Sequence, residues 1–256
     1  MWIEQNPKVL TKSGTSPKTF ISAPFGNYIK PKGTIPVTGT FTLNPRGNRL
    51  WSVLSSLRYS FKSNGGWTNK LGLPNPGIEK GLHRHFTAGG EVLSIAEIQK
   101  GDFNKLVEII PERTDIELNL SCPNLAKRLP WDSARVFTQI AQQQKKELPH
   151  RKWCIAKLSP LTTPEQLEFV IEELGFEQLH FSNTLPTPAG GLSGPTLKPY
   201  TLELIDIVRE RWGERVEIIA GGGVRDFGAV SDYLSAGANH VSLGSVCFNP
   251  FKLRRL

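Results

Sequence analysis

The chain has 256 residues, 38% of them hydrophobic and 21% charged, with a formal net charge of +8, and its mean hydropathy is -0.26. That is enough apolar material to close a sizeable core in one domain, and it excludes a disordered chain, a collagen-like or solenoid array and a membrane-spanning protein. The positive balance favours anionic partners, yet the basic residues are scattered, with clusters only at Lys145, Lys146, Arg151, Lys152 and at Lys252, Arg254, Arg255, so a solvated basic surface outweighs a nucleic-acid track.

The N-terminal stretch MWIEQNPKVLTKSGTSPK carries no apolar signal region, and the expectation is a soluble, untargeted, cytoplasmic protein. Short β-branched or apolar runs then recur as eight candidate strands, near Phe20–Ala23, Ile35–Thr40, Val92–Ala96, Ile116–Leu120, Trp153–Leu158, Gln178–Ser182, Val216–Ala220 and His240–Leu243. Between the first two, Phe25 to Gly33 leaves room for little or no helix. From Leu43 to Gly90, with Trp51, Trp67 and several turn signals, the chain is too long for a simple loop and reads as a substrate-covering excursion (43–91).

One-sided helical spacing follows in Phe103, Leu106, Val107, Ile110, in Val136, Phe137, Ile140, Ala141, in Leu167, Val170, Ile171, Leu174 and in Leu204, Ile205, Val208, Trp212. Thr163 before Pro164 is an expected N-cap, and Asp102 and Asp132 stand where two other helices should begin. After Val246 the chain reads CFNPFKLRRL, too short for a full eighth helix. The order predicts an α/β chain, 1–256, folded as one (β/α)8 TIM barrel with a shortened first crossover and a truncated eighth helix, the alternative being an open doubly wound sheet. First and eighth helices are neighbours in such a barrel, so a homo-oligomer, a partner subunit or the N-terminal segment is expected to cover the side between strands eight and one.

A barrel places its chemistry at the carboxyl ends of its strands. Strand Ile116–Leu120 runs directly into Ser121, Cys122, Pro123 and Asn124, where a thiolate can act as base or nucleophile, although an isolated cysteine near a strand end is more often a small buried hydrophobe. The other cysteines, Cys154 and Cys247, make no CxxC pair with it, which argues against a disulfide framework or structural zinc and fits a reducing compartment. Lys157 closes the apolar run IAKLS, where a buried cation needs a reason; a snorkelling or salt-bridged lysine is the plain alternative. Glycines follow strands six (Gly190, Gly191, Gly194), seven (Gly221, Gly222, Gly223) and eight (Gly244, with Ser245), the usual place of a phosphate cradle. The five histidines, His83, His85, His150, His180 and His240, show no metal-ligand spacing, so no metal site and no catalytic histidine is expected.

IELNLSCPN resembles the hallmark strand and loop of the dihydroorotate dehydrogenases. Similar to that family, in its order, are TNKLGLPNPG (Thr68–Gly77), LSIAEI (Leu93–Ile98), AKLSP (Ala156–Pro160), FSNTLPTPAGGLSGPTLKP (Phe181–Pro199), IIAGGGV (Ile218–Val224) and SLGS (Ser242–Ser245). The resemblance implies an FMN-dependent barrel that oxidises dihydroorotate to orotate in pyrimidine biosynthesis, closest to the soluble branch whose base is a cysteine. It implies Cys122 as the base for the C5 proton, with the C6 hydride passing to flavin N5, and Asn69, Asn119, Asn124, Asn183 and Thr184 as substrate-binding residues. Donors and acceptors of that kind suit an imide edge and a carboxylate. For FMN it implies Lys157 against the ring, Ala23 and Gly26 along its other face, and Gly191, Gly194, Gly222, Gly223, Gly244 and Ser245 around the phosphate.

The chain departs from the family where a lysine is expected after the first strand or on the second, since those stretches read APFGN and VTGTFT; Lys30 and Lys32 are the nearest cations. A tRNA dihydrouridine synthase-like flavoenzyme, which would use the +8 charge, and a non-catalytic flavin-binding protein are the alternatives. Neither nucleic acid nor membrane is an expected partner of the leading reading, whose substrate is a small molecule.

Overall fold

The structure is a computed structural model that describes residues 16–47, 57–60, 65–86, 89–120, 131–147 and 150–256. In chain order it forms β1 (Thr19–Ile21), β2 (Thr34–Phe41), β3 (Arg58–Ser60), β4 (Gly66–Asn69), α1 (Ile78–His85), β5 (Val92–Ile95), α2 (Asp102–Ile109), β6 (Ile116–Asn119) and α3 (Arg135–Gln144). There follow β7 (Cys154–Leu158), α4 (Pro164–Glu168, continued by a π-helical stretch Phe169–Glu173), β8 (Gln178–Phe181), β9 (Leu185–Thr187), β10 (Gly190–Ser193), α5 (Lys198–Trp212), β11 (Glu217–Ala220), α6 (Phe227–Ala236), β12 (His240–Leu243) and the short α7 (Pro250–Leu253). Eight strands close a barrel in the order β1, β12, β11, β8, β7, β6, β5, β2, and β2 returns in parallel onto β1. Each matches one expected strand, and closure removes the edges that an open doubly wound sheet would carry.

Alternation along the strands sorts the side chains into two cores. Ile21, Leu93, Leu118, Ala156, Leu179, Ile218 and Val241 pack with helix residues such as Leu106, Phe137, Leu167 and Ile205, so they face outward. Phe20, Val37, Val92, Trp153, Ile155 and Ile219 form a separate cluster of strand residues, which fills the interior; the Phe20 and Trp153 rings meet edge-on at 5.0 Å. With a period of two, the inward row continues toward the carboxyl ends as Ser94, Glu117, Asn119, Lys157, His180 and Ser242. The interior is therefore apolar low in the barrel and polar beneath its upper mouth.

Thr163 is the expected N-cap, accepting from the Gln166 amide in a full capping box. Asp102 begins α2 and Asp132 the turn that leads into α3, as expected, though neither caps its helix with its side chain. Asp102 accepts from the Ile98 and Gln99 amides and so braces the turn ahead of α2, while Asp132 opens a 3-10 turn, Asp132–Ala134, without a side-chain cap. The fold adds α6, outside the four expected helices, which Asp226 caps through the Ala229 amide.

The first crossover holds one 3-10 turn, Phe25–Asn27, and lies directly on β2: a Cβ on Gly26 would stand 2.3 Å from the Val37 carbonyl oxygen. Gly26 is thus required by this close approach. Outward residues Ile21, Val241 and Leu243 are fully buried within the single chain, as is Leu256, whereas Tyr28 and Phe251 are exposed. Between β2 and β5, α1 packs on the Phe41 ring, which a Cβ on Gly81 would strike at 2.6 Å. Strands β3, β4, β10 and β9 form a second, antiparallel sheet; its β4–β10 pair ties the segment after β2 to the loop after β8.

Candidate active site

A cavity of about 550 Å³ opens at the carboxyl ends of the barrel strands. Its wall brings together Ala23 after β1, Asn69 at the end of β4, Asn119 at the end of β6, Lys157 in β7, and Asn183 and Thr184 after β8. The segment between β2 and β5 contributes Leu71, Leu73, Asn75, Lys80, Arg84 and His85 among others. Cys122 and Asn124 lie outside the described residues. Of the other cysteines, Cys154 and Cys247 are pushed up by burial to about 11 and about 12, so both are protonated thiols at neutral pH.

The floor is organised by hydrogen bonds. Asn183 Nδ2 donates to Asn119 Oδ1 at 2.8 Å, and Asn119 Nδ2 donates to Thr40 Oγ1 at 3.4 Å. Thr40 and Ser94 hydroxyls meet at 2.9 Å, and Ser94 donates to Glu117 at 2.9 Å. Glu117 also receives His180 Nδ1 at 2.6 Å and stands 3.7 Å from Lys157 Nζ. Burial alone would raise the Glu117 carboxyl, but the Lys157 charge, His180 and Ser94 outweigh it and hold it at about 2. Burial, then the neighbouring Lys157 charge, keeps His180 below its ordinary value against the pull of Glu117. His180 is therefore neutral near pH 7 and gives its Nδ1–H to the carboxylate, which can only accept.

Neither Glu117 nor His180 is among the expected site residues, although a signal exists. Glu117 and Asn119 share a face of IELN, and Lys157 lies on the adjacent strand, so an inward carboxylate and an inward cation are legible as a pair. The second buried histidine, His240, accepts from the Lys18 amide at Nδ1 and donates from Nε2 to Glu217 at 2.6 Å, bracing the amino end of the barrel.

Strand β2 lends the cavity no cation. Gly39, in VTGTFT, has φ +129° and a Cβ there would sit 2.3 Å from the Ser94 carbonyl oxygen, so only glycine fits. Asn27 brackets it, accepting from the Gly39 amide at 2.7 Å and donating to its carbonyl at 3.2 Å. Lys30 turns to Glu91 at 2.7 Å and to the His85 carbonyl at 3.0 Å, and neither it nor Lys32 is on the cavity wall among the described residues.

A second cavity of about 370 Å³ lies beside the loops after β11 and β12, with Trp67, Arg225, Ser245, Phe248 and Lys252 on its wall. The glycine loops converge: a Cβ on Gly223 would fall 2.5 Å from Pro195 Cα and 3.0 Å from the Gly194 oxygen, and one on Gly222 would meet Leu197 at 2.7 Å. Gly191 pairs with Asn69 across β10 and β4. A Cβ on Gly244 would meet only Ser22 Oγ at 3.9 Å, leaving an open approach. Of these cofactor candidates, Ser245 lines the second cavity, while Gly191, Gly194, Gly222, Gly223 and Gly244 are on the wall of neither cavity.

The family model for dihydroorotate dehydrogenase matches residues 37–254. The catalytic subunit of dihydroorotate dehydrogenase B (NAD(+)) from Endomicrobium trichonymphae is 30% identical, over 94% of this chain and 82% of its own length. A protein of Aquifex aeolicus assigned, by name only, as a dihydroorotate dehydrogenase A (fumarate) is 30% identical over 72% of this chain and 67% of its own. Among solved structures, the DHODH of Eimeria tenella in complex with ferulenol superposes with a TM-score of 0.74 at 19% identity, covering 98% of this chain and 82% of that one, a likeness of fold.

Proposed function

The chain belongs to the dihydroorotate dehydrogenase family, and on that premise we propose that it oxidises dihydroorotate to orotate with FMN as its cofactor. The observation that carries this reading is the single cavity in which Asn69, Asn119, Asn183, Thr184 and Lys157 converge from separate segments of the chain. The residues present fit a flavin. The larger cavity, of about 550 Å³, is of small-molecule size and has a buried cation in its wall. The second, of about 370 Å³, offers Arg225, Lys252 and Ser245 beside the loops after β11 and β12, where a barrel holds a phosphate. Gly194, Gly222 and Gly223 let the loops after β10 and β11 close on one another, Gly191 is buried in the β4–β10–β9 sheet beside Asn69, and Gly244 leaves an open approach.

FMN, when bound, supplies the two-electron acceptor that takes the C6 hydride at N5. Cys122 is the base for the C5 proton. β6 ends at Asn119 on the cavity wall, and Cys122 follows three residues later in the sequence. Loss of the C5 proton to the thiolate and of the C6 hydride leaves the C5–C6 double bond of orotate. Asn69, Asn119, Asn183 and Thr184, with Asn124, offer the donors and acceptors that orient an imide edge and a carboxylate. Lys157 faces the charge that develops on the flavin side. Segment 43–91 covers the substrate, since Asn69 through Arg84 supply much of the wall.

Among the described residues no helix is long and apolar enough to cross a membrane; a cytoplasmic role in pyrimidine biosynthesis accords with this. A relative named as a catalytic subunit supports a partner subunit that receives the electrons, with the exposed Tyr28, Phe248 and Phe251 as its contact.

The test is anaerobic mixing of purified, FMN-loaded protein with dihydroorotate while the flavin absorbance is followed. Rapid bleaching is expected. A yellow protein that stays oxidised would reject dihydroorotate as substrate, and one that takes up no FMN would reject the flavin reading.

A further inference from the structure

The hydrogen-bonded row beneath the cavity ends on a carboxylate that is not on the cavity wall. Glu117 is fully buried and lies one step below the floor: Asn119 and Lys157 are cross-strand partners, and Glu117 is opposite Ile155. Both of its oxygens are engaged, with Ser94 at 2.9 Å and Lys157 at 3.7 Å on one and His180 at 2.6 Å on the other. At 3.7 Å the ammonium is held by charge, beyond hydrogen-bond range. Lys157 is 5% exposed, and it is the member of this trio that reaches the cavity. With His180 neutral, the trio carries one positive and one negative charge, the condition under which a buried cation is tolerated.

The same carboxylate fixes the sense of the row above it. Ser94 spends its one proton on Glu117, so in the contact between the two hydroxyls Thr40 is the donor. Thr40 then accepts from Asn119 Nδ2, and Asn119 Oδ1 accepts from Asn183 Nδ2. Every donor points from the cavity toward Glu117. An ionised carboxylate cannot donate, so the sense cannot reverse; an amide in its place could run it either way. The Asn183 carbonyl oxygen is committed in turn to the Thr184 amide at 2.9 Å.

We propose that Glu117, clamped by Ser94 and His180, is the positioning residue of this site: it keeps the Lys157 ammonium at the cavity floor as counter-charge to the reduced flavin and sets which way the Asn119 and Asn183 amides face. This rests on the flavin reading above. Glu117 touches neither substrate nor cofactor, so its influence on the flavin runs through Lys157.

The experiment measures sulfite affinity, read as loss of flavin absorbance, on FMN-loaded wild type, Glu117→Gln, Glu117→Asp, Lys157→Gln and the double variant Glu117→Gln/Lys157→Gln. Sulfite places a negative charge on the flavin and so reports the positive charge facing it. Because an ammonium without its carboxylate leaves the buried floor for solvent, expected are a weakening of about tenfold or more in Glu117→Gln, a similar loss in Lys157→Gln, no further loss in the double variant, and recovery of most of the affinity in Glu117→Asp. Sulfite affinity within twofold of wild type or tighter in Glu117→Gln, or a further tenfold loss when Glu117→Gln is added to Lys157→Gln, overturns the proposal. Should Glu117→Gln not fold, Ser94→Ala removes one clamp and must weaken sulfite about threefold in the wild-type background and not in Lys157→Gln; equal effects in both overturn it. Wild type that takes up no FMN overturns the flavin reading and this inference with it, whereas FMN-loaded protein indifferent to Glu117→Gln overturns the inference alone.

Discussion

Acid should destabilise this protein through Glu117 in a window that its surroundings define. The carboxyl is held at about 2 against an ordinary 4.5, a difference worth about 3 kcal/mol at 1.36 kcal/mol per unit. Because the folded value is the depressed one, the stabilisation is present in full above the unfolded value and drains away as pH falls toward 2. Between pH 5 and pH 3 about 2 kcal/mol of it should go. His180 acts in the same direction: kept below its ordinary value by burial and Lys157, it stays neutral in the fold while the unfolded chain takes a proton below about pH 6.5. To isolate the carboxylate, the background is His180→Asn, which retains an N–H donor for Glu117 and removes the titrating ring. Urea unfolding of His180→Asn and of His180→Asn/Glu117→Gln at steps from pH 7 to pH 3 gives two stability curves whose separation should shrink from pH 5 to pH 3, by less than about 2 kcal/mol because His180 is one of the groups that lower the carboxyl. Curves that stay parallel through that interval would mean that Glu117 titrates normally in the fold, and the buried ion pair would be refuted.

Cys122→Ala should abolish turnover with dihydroorotate while leaving FMN stoichiometry within error of wild type; turnover retained within a few-fold would remove the assigned base. Lys80 and Arg84 lie four residues apart on α1 and are exposed on the cavity wall, so they face an approaching anion together. Lys80→Gln/Arg84→Gln should raise KM for dihydroorotate about threefold to tenfold at low salt with kcat unchanged, and the difference should close as salt is added; a fall in kcat instead would place these residues in the chemistry.

What the sequence discloses follows from what repeats in it. Eight apolar runs alternating with helical spacing are enough to expect a closed barrel, because each run must bury both faces and each helix one. The segment between β2 and β5 is less legible. Its strands, RYS and GWTN, pair with each other, and GWTN pairs in turn with GGLS, more than a hundred residues away; pieces of three or four residues are too short for a period to announce them. α6 is similarly hidden, since FGAVSDYLSA begins directly after a glycine loop and carries Gly228. Asn69, Asn119, Asn183, Thr184 and Lys157 are individually unremarkable polar residues, and they became candidates through a family pattern; their convergence is a property of closure. Gly26 carries a packing reason that the sequence does not disclose: the backbone of Val37 leaves no room for a side chain there.

The charge layout of the cavity follows from one glycine. At Gly39 a side chain of any kind would collide with the Ser94 carbonyl, so β2 presents backbone, bracketed by Asn27, and the buried cation of the wall is Lys157 from β7. That cation is balanced from beneath by Glu117. Among the described residues the floor is thus close to neutral, and it tells one ring from another through the direction in which its amides point, which the Glu117 row decides. Among the described residues, net attraction for an anion comes from the mouth, where Lys80 and Arg84 stand. Binding and chemistry are therefore assigned to different layers of the barrel: changes at the mouth should register in KM and in salt dependence, whereas changes in the buried row should register in kcat and in the flavin.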